Sequence, residues 1–345
     1  MMKKSMTKKS IFALAALGAC AGSAFAQSSV TVYGVVDMAI QHENDGARVK
    51  TALDSGEFYG SRIGFKGSED LGGGLKANFL LENGFNADDG SLGQGGRLFG
   101  RASWVGLSGD FGAVRVGRMS SPIFIVADAL DPFDAGMTSG KAGQGTSTNG
   151  MLGIFRTTFR TDNTFTYNSP NINGFSGTAA YTFGEVAGST SASRQIGLSA
   201  VYDKGPVYAG IAYQSVNDVF GNAVKQALIG ATYNFGVAKA AFAYQKNSSD
   251  LQTVDNKNWM IGVTVPVSLA GKVLASYIRS TDNTIATANS GSQWALGYTY
   301  DWSKRTTLYT SYSRNSNQAK SNIGGLAAAN GLTDTLFNAG IRHKF

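Results

Sequence analysis

The sequence predicts an all-β protein, a 16-stranded antiparallel transmembrane β-barrel with short turns at one end, long loops at the other and an infolded third loop. Three observations lead to this prediction. Apolar and polar residues alternate along short segments, the connections between these segments alternate in length, and the chain ends on the aromatic Phe345. Alternation with a period of two is typical of strands that have one apolar and one polar face.

The N-terminal segment has the features of an export signal. MMKKSMTKKS contains four lysines and no acid, residues 11–19 are apolar, and the small-x-small triplet at 24–26 fits a signal-peptidase site. We therefore expect residues 1–26 to be a cleaved signal peptide and residues 27–345 to be one barrel domain. Cleavage before Cys20, at a lipoprotein-like LGAC sequence, is the alternative, and we favour the first site because its position is the better one. Removal of the four lysines lowers the net charge from +7 to +3.

Composition narrows the possible classes further. The chain has 45 glycines, 11% aromatic residues and only 15% charged residues, which is low for a soluble surface. No apolar stretch after the signal approaches the roughly 20 residues of a transmembrane helix. The sequence contains no run of like charges of the kind that would indicate a nucleic-acid partner. Convincing amphipathic helices are absent from the sequence pattern, so we expect strands alone.

Sixteen alternating segments can be delimited, and each is expected to form one strand of the barrel. They are 30–41, 61–67, 75–83, 101–108, 113–118, 160–167, 175–183, 195–202, 207–214, 225–234, 237–245, 257–265, 272–279, 293–300, 305–314 and 336–345. Short connections alternate with long polar ones, which are 43–60, 84–100, 119–159, 184–194, 215–224, 246–256, 280–292 and 315–335. Outer-membrane barrels have such periplasmic turns and extracellular loops, and an even strand count places both termini on the periplasmic side. Closure of the sheet also removes every exposed edge.

The last strand explains why the chain ends on an aromatic residue. In FNAGIRHKF the apolar residues share one parity, and the opening strand VTVYGVVDMAI has the complementary pattern. Pairing of the two strands would close the barrel. Phe345 would then lie at the periplasmic membrane interface, where aromatic girdles occur.

Several motifs in order resemble one known family. SSVTVYGVVDMAI, SRIGFKGSEDLGGGLKA, WVGL with FGAVRVGR, YNSPNINGFSG and the ending GIRHKF are similar to the general-diffusion porins of Gram-negative outer membranes, in particular the betaproteobacterial type. The resemblance covers the whole chain after the signal. It implies a homotrimer surrounded by outer-membrane lipid and lipopolysaccharide, and passive diffusion of small hydrophilic solutes and inorganic ions. It also implies that the outer-membrane assembly machinery recognises the terminal strand, with Phe345 as the assembly signal.

The connection 119–159 is by far the longest. In porins the third long loop folds into the barrel and narrows it, and IFIVADALDPFDAG is apolar enough to pack against an inner wall. Three aspartates, Asp128, Asp131 and Asp134, are candidates for the acidic side of a constriction. The family motif Pro-Glu-Phe-Gly-Gly is replaced by Asp-Pro-Phe-Asp-Ala-Gly, so the choice among the three stays open. The alternative is that they solvate an exposed loop tip.

Arginines supply the expected basic side of the constriction. Arg62, Arg101 and Arg160 have inward parity. Arg101 shares its face of the strand with Ser103, whereas Trp104 is expected on the opposite face. A charged side chain that faces lipid at mid-depth costs roughly 2–4 kcal/mol, which favours the lumen. Arg118 belongs to the VGR motif, where the family places a pore arginine, but it shares parity with the lipid-facing valines and needs a bulge to turn inward.

The remaining predictions concern lumen residues and function. Asp37 and Lys66 have inward parity and are expected on the lumen wall. We expect a water-filled channel with modest anion preference. The alternatives are a substrate-specific channel or an outer-membrane barrel enzyme, and an enzyme is disfavoured because His42 and His343 are the only histidines. No metal or cofactor is expected.

Overall fold

The structure, a computed structural model, describes residues 29–138, 150–284, 290–326 and 329–345. The predicted signal peptide 1–26, with Cys20, lies outside the described residues. Strands are numbered here in chain order. They are β1 Ser29–Asn44, β2 Val49–Ser55, β3 Arg62–Gly72, β4 Leu75–Gly84, β5 Ala102–Gly109, β6 Gly112–Ser120, β7 Arg160–Asn168, β8 Phe175–Thr182, β9 Gln195–Lys204, β10 Val207–Asn217, β11 Ala223–Asn234, β12 Lys239–Ser249, β13 Asp255–Pro266, β14 Gly271–Asp282, β15 Gly291–Asp301, β16 Thr306–Asn317 and β17 Thr333–Lys344.

These strands form one closed antiparallel sheet that has sixteen positions around its wall. β1 pairs with β17 on one side, in the register Val35↔Lys344, which closes the barrel. On its other side β1 pairs with β2 through its upper half and with β3 through its lower half. β2 and β3 thus occupy a single wall position, and the predicted 16-stranded barrel is confirmed.

The prediction that residues 43–60 form a long loop is wrong. Its residues form a tight turn at 45–48, the strand β2, and a short segment at 56–61 that interrupts the wall between β2 and β3. We call residues 56–61 the inner segment. Several other predicted long loops are also shorter than expected, because β10 to β14 continue beyond their predicted ends. At these ends the strands, which carry polar residues, continue to pair above the membrane, where the outer face of the barrel contacts water instead of lipid.

The third loop, L3, contains two short helices, so the expectation of strands alone is wrong there. They are α1, Pro122–Leu130, and α2, Gly150–Phe155. Ser121 caps α1, since its side chain accepts a hydrogen bond from the Phe124 N–H at 3.2 Å, and Pro122 suits the first turn because it has no N–H to satisfy. In the described part of the chain, neither helix is long and apolar enough to cross a membrane.

L3 lies inside the barrel, against the wall formed by β9 to β15. Apolar residues of α1 and α2 form a buried cluster with Ala212, Leu228, Ala243 and Met260 of that wall. Inward-facing glycines make close approach possible, because a side chain at Gly230 would collide with Leu130 of α1. The other glycines that a loop residue crowds in this way are Gly197, Gly210, Gly262 and Gly297. The packing predicted for IFIVADALDPFDAG is therefore confirmed.

Polar side chains of the same wall hold the loop backbone. The Nε2 of Gln245 and the Nδ2 of Asn247 both donate to the carbonyl of Phe155, at 2.9 and 2.8 Å. Gln293 donates to the carbonyl of Thr138 at 3.2 Å. These bonds satisfy backbone groups that a buried loop would otherwise leave without partners.

The chain terminus completes the wall as expected from parity. The backbone of Phe345 exchanges two hydrogen bonds of 3.1 Å with Gly34. Its ring lies over Gly34, where a β-carbon would collide with it, and remains half exposed. The terminal aromatic residue therefore marks the periplasmic edge of the barrel.

Candidate functional site

A charged space in the described part of the lumen lies between α1 and the wall formed by β3 to β7. Four arginines line it: Arg62 of β3, Arg101 just before β5, Arg115 of β6 and Arg160 of β7. The space between them and L3 has a volume of about 330 Å³. The structure thus brings together three of the four predicted arginines, and it adds Arg115. We call this space the constriction.

Glu82 of β4 holds the arginine cluster in place. Its Oε1 accepts from Nε of Arg101 at 2.7 Å and lies 3.8 Å from Nη1 of Arg62, while its Oε2 accepts from the Tyr33 hydroxyl at 2.6 Å. Nε of Arg160 donates to the backbone carbonyl of Arg101 at 3.1 Å. One carboxylate therefore fixes two guanidinium groups whose mutual repulsion would otherwise separate them. Glu82 has lumen parity in β4, but parity alone does not indicate this role.

Aromatic rings support the arginines from the sides. The guanidinium of Arg62 lies 4.3 Å from the ring centre of Tyr59, and that of Arg115 lies 4.7 Å from the ring centre of Trp104. These are cation–π distances. Trp104 was expected to face lipid, which is wrong, since it lines the constriction together with Arg101. Both can do so because Arg101 precedes the first residue of β5, where regular alternation has not yet begun.

Two of the three predicted aspartates face this cluster. Asp128 and Asp134 line the constriction opposite the arginines. The prediction that Asp131 lines the acidic side of the constriction is wrong. This residue is only 6% exposed, its Oδ1 accepts from the Phe133 N–H at 3.0 Å, and it caps the C-terminus of α1. L3 does not span the membrane, and burial there raises the pKa of Asp128 to about 6, an effect that the neighbouring Asp134 charge reinforces and the arginines oppose.

Arg118 lies beside a bulge in β6 but outside the constriction that was predicted for it. The register of β6 against β7 shifts between Gly117 and Met119, and Gly117 has a φ of 136°, which favours glycine. Arg118 then donates to Asp162 at 2.5 Å and to the Gly100 carbonyl at 2.7 Å. It does not line the constriction but belongs to an ion-paired group above it that also includes Arg97, 3.2 Å from Asp162.

Asp37 has different surroundings from those predicted. Asp37 is fully buried rather than on the lumen wall, because the inner segment covers it. Its Oδ1 accepts from the hydroxyl of Tyr309 at 2.7 Å and from the Phe58 N–H at 3.3 Å. Asp37 therefore anchors the inner segment, whose Glu57 carbonyl in turn accepts from the N–H of Met137 in L3. Lys66 is exposed, 5.3 Å from the ring centre of Tyr33 and away from the constriction.

A wider, basic space lies on the periplasmic side of the constriction. It has a volume of about 920 Å³, and Asp131, Asp134 and Asp301 line it together with five cationic residues, Lys239, Lys272, Lys304, Arg342 and Lys344. Arg342 lies 4.3 Å from the ring centre of Phe58 in the inner segment. We call this space the periplasmic vestibule. The sequence analysis missed it, although Arg342 and Lys344 have lumen parity in the last strand.

The described residues include no group of three or more histidine, cysteine or acidic side chains arranged to hold a metal ion. Each histidine bonds a threonine of a neighbouring strand, His42 with Thr51 at 2.8 Å and His343 with Thr306 at 2.9 Å. Neither lies at the constriction. The constriction itself presents fixed charges of both signs to the passage.

A closed β-barrel with an infolded loop and a charged constriction defines a membrane channel of the general porin architecture. Residues 13–320 match a family model for Gram-negative porins, and the chain belongs to this family. It is therefore a multi-pass outer-membrane protein that forms a channel.

Individual relatives agree with this assignment. The chain is 35% identical to outer membrane porin protein 32 of Delftia acidovorans, an alignment that covers 98% of this chain and 100% of that protein. It is 29% identical to an outer membrane porin protein of Bordetella pertussis, again over 98% of this chain and 100% of that protein. Among solved structures, an anion-selective porin from Comamonas acidovorans has a TM-score of 0.78 and 34% identity, and the match covers 92% of this chain and 100% of that one.

Proposed function

We propose that this porin is a general-diffusion channel with a preference for small anions. The observation that carries the proposal is the charge balance of the constriction, which is lined by four arginines and by the three carboxylates Glu82, Asp128 and Asp134. The periplasmic vestibule continues the same excess, with five cations against three acids. A fixed charge of one sign along a narrow passage raises the local concentration of the opposite ion. The similarity to an anion-selective porin supports the same direction.

Opposed charges on the two sides of the constriction also produce a transverse field. Small polar solutes can align their dipoles in this field, whereas an apolar solute must displace ordered water without an equivalent gain. The effect acts over about 8–10 Å at physiological salt, which reaches across the constriction but not across a wide vestibule. Filtering by size and polarity therefore needs no binding step and no conformational change.

A substrate-specific channel would need an aromatic or hydrogen-bonding path along the lumen. Tyr59 and Trp104 are aromatic residues at the constriction, but each lies against an arginine and supports it. General diffusion accounts for this arrangement more simply. Catalysis is not part of the proposal, since the two histidines lie on outer strand faces and have threonine partners.

The assembly of the protein is part of the same proposal. We infer that residues 1–26 are removed as a signal peptide, that the barrel functions as a homotrimer, and that the assembly machinery recognises the last strand through Phe345. The position of Phe345 at the barrel edge, half exposed toward lipid, supports a terminal recognition signal. Lipopolysaccharide is expected around the extracellular half of the barrel.

Planar-bilayer recording of the refolded protein tests the channel proposal. We expect discrete conductance steps and a reversal potential, across a KCl gradient, that favours chloride. The combined variant Arg62→Ala, Arg101→Ala and Arg160→Ala should lose this preference while it keeps a conducting pore. Arg314→Gln, which removes one exposed positive charge from the outer surface, is the matched control and should behave as the unmodified protein. Cation-favouring steps in the unmodified protein would contradict the anion preference, and the absence of steps would contradict the channel itself.

A further inference from the structure

A second space opens on the lumen wall, on the periplasmic side of the constriction. The lower halves of β1, β3, β4, β5 and β6 line it, and it has a volume of about 340 Å³. This volume lies within the range of about 300–1,000 Å³ that is typical of small-molecule sites. It adjoins the constriction, since Leu80, Trp104 and Arg115 line both spaces. We call this second space the wall pocket.

The pairing register places an apolar strip between two cations of the wall pocket. Lys66 of β3 lies opposite Leu80 of β4, and Leu80 lies opposite Trp104 of β5, all on the lumen face. Arg115 of β6 lies at the other end of this strip, with its guanidinium 4.7 Å from the ring centre of Trp104. Its side chain passes over Gly106, where a β-carbon would lie 2.9 Å from Cγ of Arg115. The wall pocket therefore presents a cation, an apolar surface and a second cation in sequence.

The charges of the wall pocket differ from those of the constriction. At the constriction, Glu82 pairs with two of the arginines. In the described part of the chain, no carboxylate lines the wall pocket or forms an ion pair with Lys66 or Arg115. Instead each cation lies near an aromatic ring, and Nζ of Lys66 is 5.3 Å from the ring centre of Tyr33. Both cations are therefore available to an anion that enters from the passage.

We propose that the wall pocket binds small aromatic carboxylates as they pass through the channel. The inference rests on the proposed channel and names a solute class for it. The planar guanidinium of Arg115 can bind a carboxylate through two parallel hydrogen bonds, while the ring of the solute covers Leu80 and the exposed part of Trp104. An inorganic anion would leave this apolar strip in contact with water, and an uncharged aromatic solute would leave both cations unpaired.

The wall pocket is a single subsite beside a general-diffusion path. Lys66 is exposed, so the pocket is open to the lumen, and a bound solute can leave without any movement of the wall. Residence in the pocket is therefore brief. Smaller anions continue to diffuse past it, and an aromatic carboxylate that occupies it narrows the passage because the pocket adjoins the constriction.

Block of the chloride current by added solutes tests the inference in planar bilayers that contain the refolded protein. Benzoate, acetate and benzamide are the probes, since acetate has the charge without the ring and benzamide has the ring without the charge. We expect benzoate to halve the current at a concentration at least about tenfold lower than either of the others. Equal half-blocking concentrations for benzoate and acetate, or for benzoate and benzamide, would overturn the proposal while the channel itself stands. A protein that conducts no ions would instead contradict the proposed channel, and this inference with it.

A charge-matched pair of variants then locates the site. Lys66→Gln should raise the half-blocking concentration of benzoate about fivefold. Lys76→Gln removes an exposed lysine from the neighbouring strand β4, outside the wall pocket, and should change this concentration by less than about twofold. Equal effects of the two substitutions, or no effect of Lys66→Gln, would overturn the assignment, because benzoate would then act elsewhere in the lumen.

A substitution in the apolar strip tests the contact with the ring. Leu80→Asn keeps the approximate size of the side chain and replaces apolar surface by an amide. We expect the preference for benzoate over acetate to fall at least about threefold, since only benzoate has a ring to place there. An unchanged preference in a variant that shows heat-modifiable migration on a gel, and is therefore folded, would contradict the placement of the ring on this strip.

Discussion

Single-charge substitutions at the constriction test whether its charge balance sets the ion preference. Four arginines and three carboxylates line it, so its net charge is +1 when all are ionised. Asp128→Asn raises this charge to +2, and Arg160→Gln lowers it to zero. The two variants change the balance by one unit in opposite directions. Asparagine matches aspartate in size, and glutamine is a shorter, uncharged polar replacement for arginine. We therefore expect opposite shifts of similar size in the chloride-to-potassium permeability ratio.

The magnitude follows from the distance between the charges and a permeating ion. At about 6 Å, one unit charge changes the energy of a monovalent ion by roughly 0.7 kcal/mol in water and by roughly 3 kcal/mol at an effective dielectric constant of about 20. Because the passage is wet, we use the smaller value. The anion is stabilised as the cation is destabilised, so the difference between them is roughly 1.4 kcal/mol, which corresponds to about a tenfold change in the ratio.

Reversal potentials in KCl gradients measure this ratio directly. We expect about a tenfold rise for Asp128→Asn and about a tenfold fall for Arg160→Gln in dilute salt, and both shifts should shrink near 1 M KCl, where the screening length is about 3 Å. Asp250→Asn is the control, since Asp250 is exposed and pairs with Lys225 above the barrel wall. Ratios within about twofold of the unmodified protein in both variants, or shifts of the same sign, would refute the charge-balance argument.

Three further predictions concern pH, packing and closure of the barrel. Burial raises the pKa of Asp128 to about 6, so this carboxylate becomes neutral as the pH falls from about 7.5 to about 5, and the chloride preference should rise over that range in the unmodified protein but not in Asp128→Asn. Substitution of Gly230 by leucine forces Leu130 and α1 away from the wall. Overpacking of this kind destabilises a folded protein by roughly 1–3 kcal/mol. We therefore expect a lower melting temperature and an altered single-channel conductance. Deletion of Phe345 removes two backbone hydrogen bonds to Gly34, and a smaller heat-modifiable fraction after refolding is the expected result, whereas an unchanged fraction would argue against a role in closure.

Much of the fold could be predicted because barrel geometry appears in the sequence as simple periodicities. The period of two defines the strands, and the alternation of connection lengths defines the two ends. The length of the connection 119–159 distinguished L3 from the other loops, and the resemblance to porins together with its apolar segment indicated that it packs inside. Strand ends were less accurate, because pairing continues above the membrane where the outward residues no longer need to be apolar.

The details of the constriction could be predicted only in part. Parity identified Arg62 as a lumen residue because β3 alternates regularly around it. Arg160 was also placed in the lumen, although a register shift between β6 and β7 separates it from the threonines that set its parity. Parity placed Trp104 on the wrong face, since β5 begins only after Arg101 and the phase assigned from that arginine was shifted by one residue. Arg115 has lumen parity in β6 but was not singled out. Asp37 shows a different limit: parity gives the direction of a side chain, but not whether another segment of the chain covers it.

The separation of charge across the pore follows from the way L3 is buried. The wall from β9 to β15 presents glycine, alanine, asparagine and glutamine to the lumen, whereas the wall from β3 to β7 presents arginine. An apolar helix cannot be buried over guanidinium groups without a large desolvation cost, so α1 docks on the uncharged wall. Its apolar residues then face that wall, and the half-buried Asp128 on its free edge faces the arginines. The field across the constriction is thus a consequence of hydrophobic docking, and a substitution that moves α1 should alter ion preference even where no charge is changed.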